Sequence, residues 1–469
     1  MSYDTAVASL YALGHELART PSHKFDLAHM RVLLAALGHP ERRFPAVLIA
    51  GTNGKGSTAA TLASILGAAG YRTALYTSPH LVRLNERIRI HGEEIGDADF
   101  AAIHSRVEEL ANRLVAAGEL PWHPSFFEML TAIAFEHFAQ TGVDIAVLEV
   151  GMGGRLDATN VVEPVVSVIT DISLDHQKFL GNTIAEIAGE KAGIIHPGGV
   201  VVTLPQHPAA NDVIGNAVLS RGARAVSAAP YVPPVSPAAD AGQLKGTSYP
   251  LEVMGGEITV ESPLIGRHQY RNIALAVAAA VELSSPRPGT AAPASTGVAI
   301  TAPVCPDERS SPEFHISPSH IADGIRQTHW PGRFQIIPAH DSWPELALDV
   351  AHNPAGAWAL RSALSQAYDE RPLTFIFGAM RDKAIGEIAE VLFPLAEHVI
   401  ATRADNPRSA TPDEIRDAAA RTGAEVLCAA DVPSALAQAR SMAGPQGLVV
   451  ITGSIYIVGE AMRELGIRA

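Results

Sequence analysis

The chain has 469 residues, enough for two or three domains and for a sizeable buried core. Hydrophobic residues make up 47% and charged residues 18% of the sequence, which excludes a chain disordered throughout and a coiled coil. The formal net charge of −14 has the wrong sign for a protein whose main partner is a nucleic acid or an anionic membrane, so an anionic substrate would need a local basic pocket.

Neither the N-terminus nor the cysteines indicate export. MSYDTAVASLYALGHELART lacks a basic region followed by a long apolar core, and no later run approaches the ~18 apolar residues of a membrane span. Cys305 and Cys428 cannot form a disulfide framework and lack the CxxC spacing of a thiolate metal site. We therefore expect a cytoplasmic protein that binds neither nucleic acid nor membrane.

The pattern of apolar residues predicts an α/β fold. From about residue 46 onward, apolar runs bounded by glycines alternate with segments of helical periodicity, which is typical of βαβ units and a parallel sheet. Residues 46–50 (AVLIA), 145–150 (IAVLEV) and 165–170 (VVSVIT) predict buried strands. Ser125 and Glu128 form a capping box, which predicts a helix that runs to about Gln140.

A change in composition predicts two domains. Residues 284–316 are rich in Pro, Ala, Ser and Thr, which favours a flexible insert or linker. The alternation then resumes with LALDVA, LTFIFGA, HVIATRA, EVLCAA and GLVVITGS. We expect a larger first domain over residues 1–329 and a smaller Rossmann-like α/β domain over residues 330–469.

The strongest motif is a glycine-rich loop, GTNGKGST at residues 51–58, which stands between the AVLIA strand and a helical run. Glycines let backbone N–H groups turn toward a phosphate, the helix N-terminus adds a positive dipole end, and Lys55 supplies a point charge. The strict phosphate-loop pattern fails, because it requires a glycine at Ile49 and a Ser or Thr at Gly56. The loop predicts a nucleotide phosphate site, with a glycine turn that binds no ligand as the alternative.

Polar side chains follow the neighbouring strands. Glu149 ends the IAVLEV strand, and a carboxylate at a strand end beside a phosphate loop is where a Mg²⁺ ligand belongs. His176, after the third strand, is a second candidate ligand by the same argument. A turn cap for Glu149 and a structural role for His176 remain alternatives. DVAHNP at residues 349–354 either lines a site or enters a helix through an Asx-type turn.

Together these residues resemble one family, the folylpolyglutamate synthases and dihydrofolate synthases of the Mur ligase superfamily. The motifs that carry the resemblance cover nearly the whole chain in order: FDLAHMRVLLAALGHP, GTNGKGS, TSPHLVRLNERI, EVGMGGRLDATN, DHQKFLG, EKAGI, RHQYRNIALA, WPGRFQ, AHNP, FGAMRDK and GSIYIVGE. The resemblance implies a larger N-terminal P-loop ATPase domain with a parallel sheet and a smaller C-terminal ligase domain. Two glycines common in the family are replaced here by Asp26 and Val350.

The resemblance also implies roles for individual residues. The expected ATP contacts are Gly54, Lys55, Gly56, Ser57, Thr58, Asn272, Arg333, Asp349 and His352. The expected Mg²⁺ ligands are Ser78, Glu149 and His176. Lys191 matches a lysine that the family carries as a carbamate, which turns a cation into a carboxylate-like group. The residues expected to act in catalysis are Lys55, His176 and Lys191.

The folate side is implied in the same way. The expected contacts are Phe25, Asp26, Leu27, Ser125, Phe126, Phe127, Glu128, Arg155, Leu156, Asp157 and Ala158. Phe127 would stack on the pterin ring and Asp157 would hydrogen-bond to it. A core position for Phe127 and a turn cap for Asp157 are the alternatives.

The activity implied by the resemblance is an ATP-dependent ligation. The γ-phosphoryl group of ATP would pass, with Mg²⁺, to the carboxylate of dihydropteroate or of a folate, and the amino group of L-glutamate would then displace phosphate from the acyl phosphate. We expect one monomeric enzyme to use both acceptors. The alternatives are a single one of these activities, a Mur-type ligase for another acid, and a binding module that only hydrolyses ATP.

Lys55→Ala is expected to abolish ATP-dependent ligation and to leave the fold intact, because the ammonium group offsets charge on the transferring phosphoryl group. Phosphate release with ATP, Mg²⁺, L-glutamate and acceptor measures the loss, and circular dichroism checks the fold. Near-normal turnover in the variant would contradict the phosphate assignment.

Overall fold

Two mainly parallel β-sheets form the framework of the chain. They are seen in a computed structural model that describes residues 1–14, 26–234, 246–285, 313–339, 343–368, 371–444 and 446–468. Within these ranges, no helix has both the length and the apolar character needed to cross a membrane. A cytoplasmic location, a monomeric state and the absence of nucleic-acid binding stay predictions.

The first sheet organises the N-terminal part of the described chain. Its strands are β1 (Ala46–Ala50), β2 (Thr73–Tyr76), β3 (Ile88–Ile90), β4 (Glu93–Glu94), β5 (Ile145–Glu149), β6 (Pro164–Ile169), β7 (Val200–Thr203) and β8 (Arg224–Ser227). Their order is β4-β3-β2-β5-β1-β6-β7-β8. The β4–β3 and β3–β2 pairs are antiparallel, and every later pair in this order is parallel. A hairpin of β9 (Thr247–Val253) and β10 (Gly256–Ser262) follows.

Helices cover both faces of this sheet. They are α1 (Tyr3–Ala12), α2 (Leu27–Ala36), α3 (Lys55–Ala68), α4 (Asp97–Ala116), α5 (Phe126–Thr141), α6 (Gln177–Leu180), α7 (Ile184–Ala192), α8 (Pro208–Ser220), α9 (Arg267–Ser284) and α10 (Pro318–Gln327). Since successive side chains of a strand point to opposite faces, Leu48 of β1 packs toward α1, α2 and α5, whereas Val47 and Ile49 pack toward α3, α9 and α10. Two covered faces explain why β1 is a continuous apolar run.

The second sheet organises the C-terminal part. Its strands are β11 (Gln335–Ile337), β12 (Glu345–Leu348), β13 (Leu373–Phe377), β14 (His398–Ala401), β15 (Val426–Cys428) and β16 (Leu448–Thr452), in the order β11-β12-β16-β13-β14-β15. Only β11 is antiparallel to its neighbour. The helices of this part are α11 (Pro354–Ala367), α12 (Ile385–Leu392), α13 (Pro412–Ala418), α14 (Val432–Met442) and α15 (Ile455–Glu464).

Most of the expected elements are present. The strands predicted at residues 46–50, 145–150 and 165–170 are confirmed as β1, β5 and β6, and α5 begins after the Ser125 capping box and ends at Thr141. The two-domain α/β fold class is also confirmed. The domain boundary at residue 329 stays a prediction.

The structure describes the C-terminal end of the predicted flexible segment. Residues 286–312 of this segment lie outside the described residues. Phe314 and Ile316, however, are 3% and 4% exposed and pack in the core between β1 and α10. These two side chains are therefore buried within a segment expected to be flexible, and the insert or linker at residues 284–316 stays a prediction.

The topology brings the sequence motifs together. The glycine-rich loop follows β1, Glu149 ends β5, and Asp171 to His176 follow β6. These three strands are neighbours at the centre of the first sheet, so their carboxyl ends meet at one edge, where open α/β sheets bind ligands.

Candidate active site

A cavity of about 630 Å³ lies where the two domains meet. Residues expected from the sequence that line it are Asp26, Leu27, Ser78, Ser125, Phe126, Phe127, Glu128, Arg155, Leu156, Asp157, Ala158, His176, Arg333 and His352. Phe25 lies outside the described residues. The volume is in the range of small-molecule sites, roughly 300–1,000 Å³. The structure thus gathers metal-site, folate-site and C-terminal candidates around one cavity.

The glycine-rich loop is held by the neighbouring strand. The backbone N–H groups of Thr52 and Asn53 donate to the carbonyl oxygen of Asp171, at 2.8 and 3.2 Å. Gly54 has a φ of 87°, and a Cβ on it would lie 2.1 Å from Oδ1 of Asn272. The left-handed backbone and this close approach both require glycine at position 54. Asn272, expected at the ATP site, is therefore in contact with the loop.

Trp330 explains why glycine follows the loop lysine. A Cβ on Gly56 would lie 2.7 Å from Cζ2 of the Trp330 ring. The serine or threonine of the strict phosphate-loop pattern would therefore overlap the indole. The sequence alone assigns no role to Trp330, although its WPGRFQ motif is part of the family resemblance.

Lys55, Glu149 and Ser78 form the link between the loop and the cavity. Lys55 Nζ lies 4.0 Å from Glu149 Oε1, and the Ser78 N–H donates to Glu149 Oε2 at 3.1 Å. The Glu149 side chain is 6% exposed. Burial raises the pKa of Glu149, while Lys55 and the Ser78 amide lower it. A buried carboxylate in this position would gain from a further positive charge.

His176 and Glu149 carry donor atoms of the kind that bind a divalent cation. Burial lowers the pKa of His176 to about 3, so its imidazole is neutral at physiological pH. Its Nδ1 is buried, and no described residue hydrogen-bonds to it. The described residues contain no group of three or more His, Cys, Asp and Glu side chains that could hold a metal. A Mg²⁺ ion would therefore also need the Ser78 hydroxyl, phosphate oxygens and water, which are ligands that Mg²⁺ commonly keeps.

Lys191 is buried against the base of the loop. Its Nζ donates to the Gly51 carbonyl oxygen at 2.7 Å, and the residue is 4% exposed. Burial, together with the charge of Lys55, lowers the pKa of Lys191 to about 7. A large fraction of this amine is therefore uncharged at neutral pH.

The second domain presents Arg333, Asp349 and His352 toward this edge. Burial lowers the pKa of Arg333, and the carboxylates of Asp349 and Glu149 oppose that shift. Asp349 accepts the backbone N–H of Phe334 and that of Ala351, each at 2.9 Å. Asp349 thus fixes the turn that carries Arg333, and a contact of either residue with ATP stays a prediction.

The expected folate residues form the other end of the cavity. The Ser125 and Glu128 capping box is present, and Glu128 Oε1 also lies 3.1 Å from His29 Nδ1. Phe127 is half-buried, and a Cβ on Gly151 would lie 2.5 Å from its ring. A ring that lines a cavity above a glycine is exposed to a ligand, whereas Phe126 is 4% exposed and belongs mainly to the core.

Asp157 serves as a turn cap and also lines the cavity. Its carboxylate accepts from the backbone N–H groups of Thr159 and Met152, each at 3.0 Å. Burial raises the pKa of Asp157, and these hydrogen bonds oppose the rise. Arg155 pairs with Glu190 at 2.8 Å at the rim.

Neither glycine replacement requires a left-handed backbone. Asp26 is extended, with a φ of −140°, and caps α2 by accepting the Ala28 N–H. Val350 is not among the described residues with positive φ. Both side chains are therefore accommodated without backbone strain.

Several cavity residues were not assigned from the sequence. They are Met30, Trp122, Met152, Lys178, Lys383, Arg408, Ser454 and Tyr456. Lys383 and Ser454 stand in the FGAMRDK and GSIYIVGE motifs, which were the available signals. Asp175, which pairs with Lys383, stands in the same segment as His176.

Comparisons with known proteins identify the family. The Mur ligase middle domain matches residues 127–280, and the Mur ligase, glutamate ligase domain matches residues 332–455. The dihydrofolate synthase/folylpolyglutamate synthase of Bacillus subtilis is 33% identical over 448 residues, which cover 94% of this chain and 95% of that protein. This chain belongs to the folylpolyglutamate and dihydrofolate synthase family.

Solved structures of family members are similar along the whole chain. The folylpolyglutamate synthase of Mycobacterium tuberculosis, complexed with ADP and AMPPCP, is 32% identical with a TM-score of 0.82, and the match covers 99% of each chain. Escherichia coli FolC, in complex with DHPP and ADP, is 27% identical with a TM-score of 0.77, over 99% of this chain and 98% of that one.

Gly56→Ala is expected to weaken ADP binding about tenfold or more, because overpacking a buried contact costs roughly 1–3 kcal/mol. The added methyl group would overlap Trp330 at the start of α3. Titration calorimetry with ADP measures the affinity. Gly67→Ala in the same helix is the control, since its Cβ would meet only the His91 ring at 3.9 Å. Equal ADP affinities for the two variants would contradict the role given to Trp330.

Proposed function

We propose that this chain is an ATP-dependent ligase that joins L-glutamate to a pterin-bearing acid held in the cavity between the domains. Dihydropteroate and folates with a glutamate tail are the acceptors. The observation that carries the proposal is the lining of this cavity: aromatic and acidic side chains stand at one end, and basic side chains of the second domain stand at the other.

The aromatic end suits the heterocycle. Phe127 and Trp122 provide flat apolar surface, and the carboxylates of Glu128 and Asp157 can accept hydrogen bonds from ring N–H groups. A pterin-bearing substrate placed there would direct its carboxylate toward His176 and the loop.

The basic end suits the reacting groups. Arg333 and His352 line the cavity there, together with Lys383 and Arg408. Cations within a buried site stabilise a carboxylate and a transferring phosphoryl group far more than they would in water. This end therefore supplies the local positive charge that the net charge of −14 does not.

The phosphates of ATP would bind at residues Gly54 to Thr58, which include Lys55. Glu149, His176 and Ser78 would hold Mg²⁺, which when bound supplies positive charge to the phosphate oxygens. Lys55 Nζ lies 4.0 Å from Glu149 Oε1, one of the atoms that would hold the Mg²⁺. These residues position the γ-phosphoryl group for in-line transfer.

The reaction then follows in two steps. An oxygen of the acceptor carboxylate attacks the γ-phosphorus, the bond to the β,γ-bridging oxygen breaks, and ADP leaves. The neutral amino group of L-glutamate attacks the acyl carbon, phosphate leaves, and the nitrogen loses a proton. Closure of the domains around the cavity excludes water, which would otherwise hydrolyse the acyl phosphate.

Product analysis tests the proposal directly. Purified protein with ATP, Mg²⁺ and L-glutamate is given dihydropteroate or tetrahydrofolate, and phosphate release and product mass are measured. We expect glutamate addition to both acceptors. Addition to one acceptor only would reduce the proposal to a single activity.

Two results would overturn the proposal. Phosphate release that does not depend on glutamate would indicate an ATP-hydrolysing module. Folded protein that binds ADP and adds glutamate to neither acceptor would leave a Mur-type ligase for another acid.

We also propose that Lys191 is carried as a carbamate. The lone pair of the neutral amine attacks CO₂, an N–C bond forms, and one proton leaves the nitrogen. The remaining N–H can keep its hydrogen bond to the Gly51 carbonyl oxygen. The positive charge of Lys55, which disfavours protonated Lys191, would stabilise the carbamate anion.

The carbamate is expected to form more completely as the pH rises from 6 to 8, because the Lys191 amine loses its proton as the pH passes about 7. Protein equilibrated with ¹³C-labelled bicarbonate should give a carbamate carbon resonance. Lys191→Arg should lack the resonance. An identical resonance in that variant would assign the carbamate to another amine.

A further inference from the structure

Asp175 lies behind the wall of the cavity, where the two domains meet. The residue follows β6 in the first domain, and its side chain is 8% exposed. Its Oδ1 accepts a hydrogen bond from Lys383 Nζ at 2.5 Å, and its Oδ2 lies 3.4 Å from His352 Nε2. Lys383 and His352 both belong to the second domain and both line the cavity.

A third side chain of the second domain reaches the same carboxylate. Asn353 Nδ2 lies 3.5 Å from Asp175 Oδ2 and donates to Asn53 Oδ1 at 3.0 Å. Asn53 belongs to the phosphate loop. The Asp175 carboxylate and the loop are therefore contacted by one amide from the opposite domain.

The loop that carries Lys383 is hydrogen-bonded to the loop of a second cavity residue, Arg408. The Lys383 loop is paired with the loop of Arg408, because the Arg381 N–H donates to the Arg408 carbonyl oxygen at 3.0 Å. The Arg408 guanidinium in turn donates to Asp382 at 2.9 Å. A carboxylate that fixes Lys383 thereby also fixes the loop that carries Arg408.

We propose that Asp175 is a positioning residue for the ligation, which docks Lys383 and His352 of the second domain onto the reaction centre. The proposal rests on the function proposed above, since it assigns Lys383 and His352 to the binding of the incoming amino acid and of the acyl phosphate. Asp175 itself is not among the cavity-lining residues, so it acts through its partners.

The ion pair between Asp175 and Lys383 is almost fully buried. The Lys383 side chain is 9% exposed, so loss of its carboxylate partner would leave a nearly buried ammonium group without its ion pair. Breaking such a pair is strongly unfavourable, and Lys383 would relieve the cost by moving toward water, away from the cavity. The docked arrangement of the domains would then be lost.

Asp175→Asn tests this role, because it keeps the shape of the side chain and removes its charge. We expect roughly a 100-fold lower kcat/KM for L-glutamate, as for other broken buried pairs. With ADP bound, small-angle X-ray scattering should give a larger radius of gyration than for the unchanged protein. Unchanged kcat/KM and an unchanged radius of gyration would overturn the proposal.

The matched control is Asp323→Asn on α10. Asp323 pairs with Arg326 on the surface of the same helix, so the variant removes an aspartate charge from an ion pair outside the cavity. It should match the unchanged protein in kcat/KM and in scattering. An equal effect of the two variants would indicate a general response to lost charge.

A double-mutant cycle isolates the pair. In Asp175→Asn combined with Lys383→Met, kcat/KM should be no lower than in the worse single variant, whereas multiplied losses would show that the two residues act independently. If Asp175→Asn does not fold, Lys383→Met alone carries the scattering test, and an unchanged radius of gyration then overturns the proposal. A failure of the proposed function is distinguishable, since the unchanged protein itself would then add no glutamate.

Discussion

Two buried carboxylates at one edge of the first sheet each require a positively charged partner, and the rest of the site supplies these partners. Glu149 ends the central strand β5, Asp175 follows the neighbouring strand β6, and both side chains are almost shielded from water. A charge in such a place must be paired. Glu149 is approached by Lys55 of its own domain, whereas Asp175 is paired by Lys383 of the other domain. The electrostatics of the first sheet are therefore complete only with the second domain in place.

This arrangement reconciles an acidic protein with anionic substrates. The net charge of −14 would repel ATP and folate at long range, although salt screens such repulsion beyond about 8 Å at physiological ionic strength. Inside the cavity the local charge decides binding. Arg333, Lys383 and Arg408 line it from the second domain.

Local signals in the sequence were sufficient for the elements that carry the site. The run AVLIA followed by glycines gave β1 and its loop, and the capping box gave α5, because each depends on residues within a few positions of one another. The Asp175–Lys383 pair joins residues 208 positions apart, and the sequence contains no periodicity that relates them. The contact of Trp330 with Gly56 is likewise set by tertiary packing. The replacement of Ser or Thr by Gly56 marked that position as unusual, but only the fold supplies the reason.

Two kinds of contact join the domains, and they do different work. Leu81 of the first domain packs into the apolar core of the second, where its carbonyl oxygen would lie 1.9 Å from a Cβ on Gly459. Val350, which replaces a family glycine, adds its side chain close to the same place, since a Cβ on Gly332 would meet both Val350 and Leu81 within 3.3 Å. Burying a valine contributes about 1.5–3 kcal/mol but imposes little direction. The hydrogen-bonded Asp175 pair is directional, so the apolar contact contributes cohesion between the domains, while the ion pair fixes their docked arrangement and the side chains that face the reacting atoms.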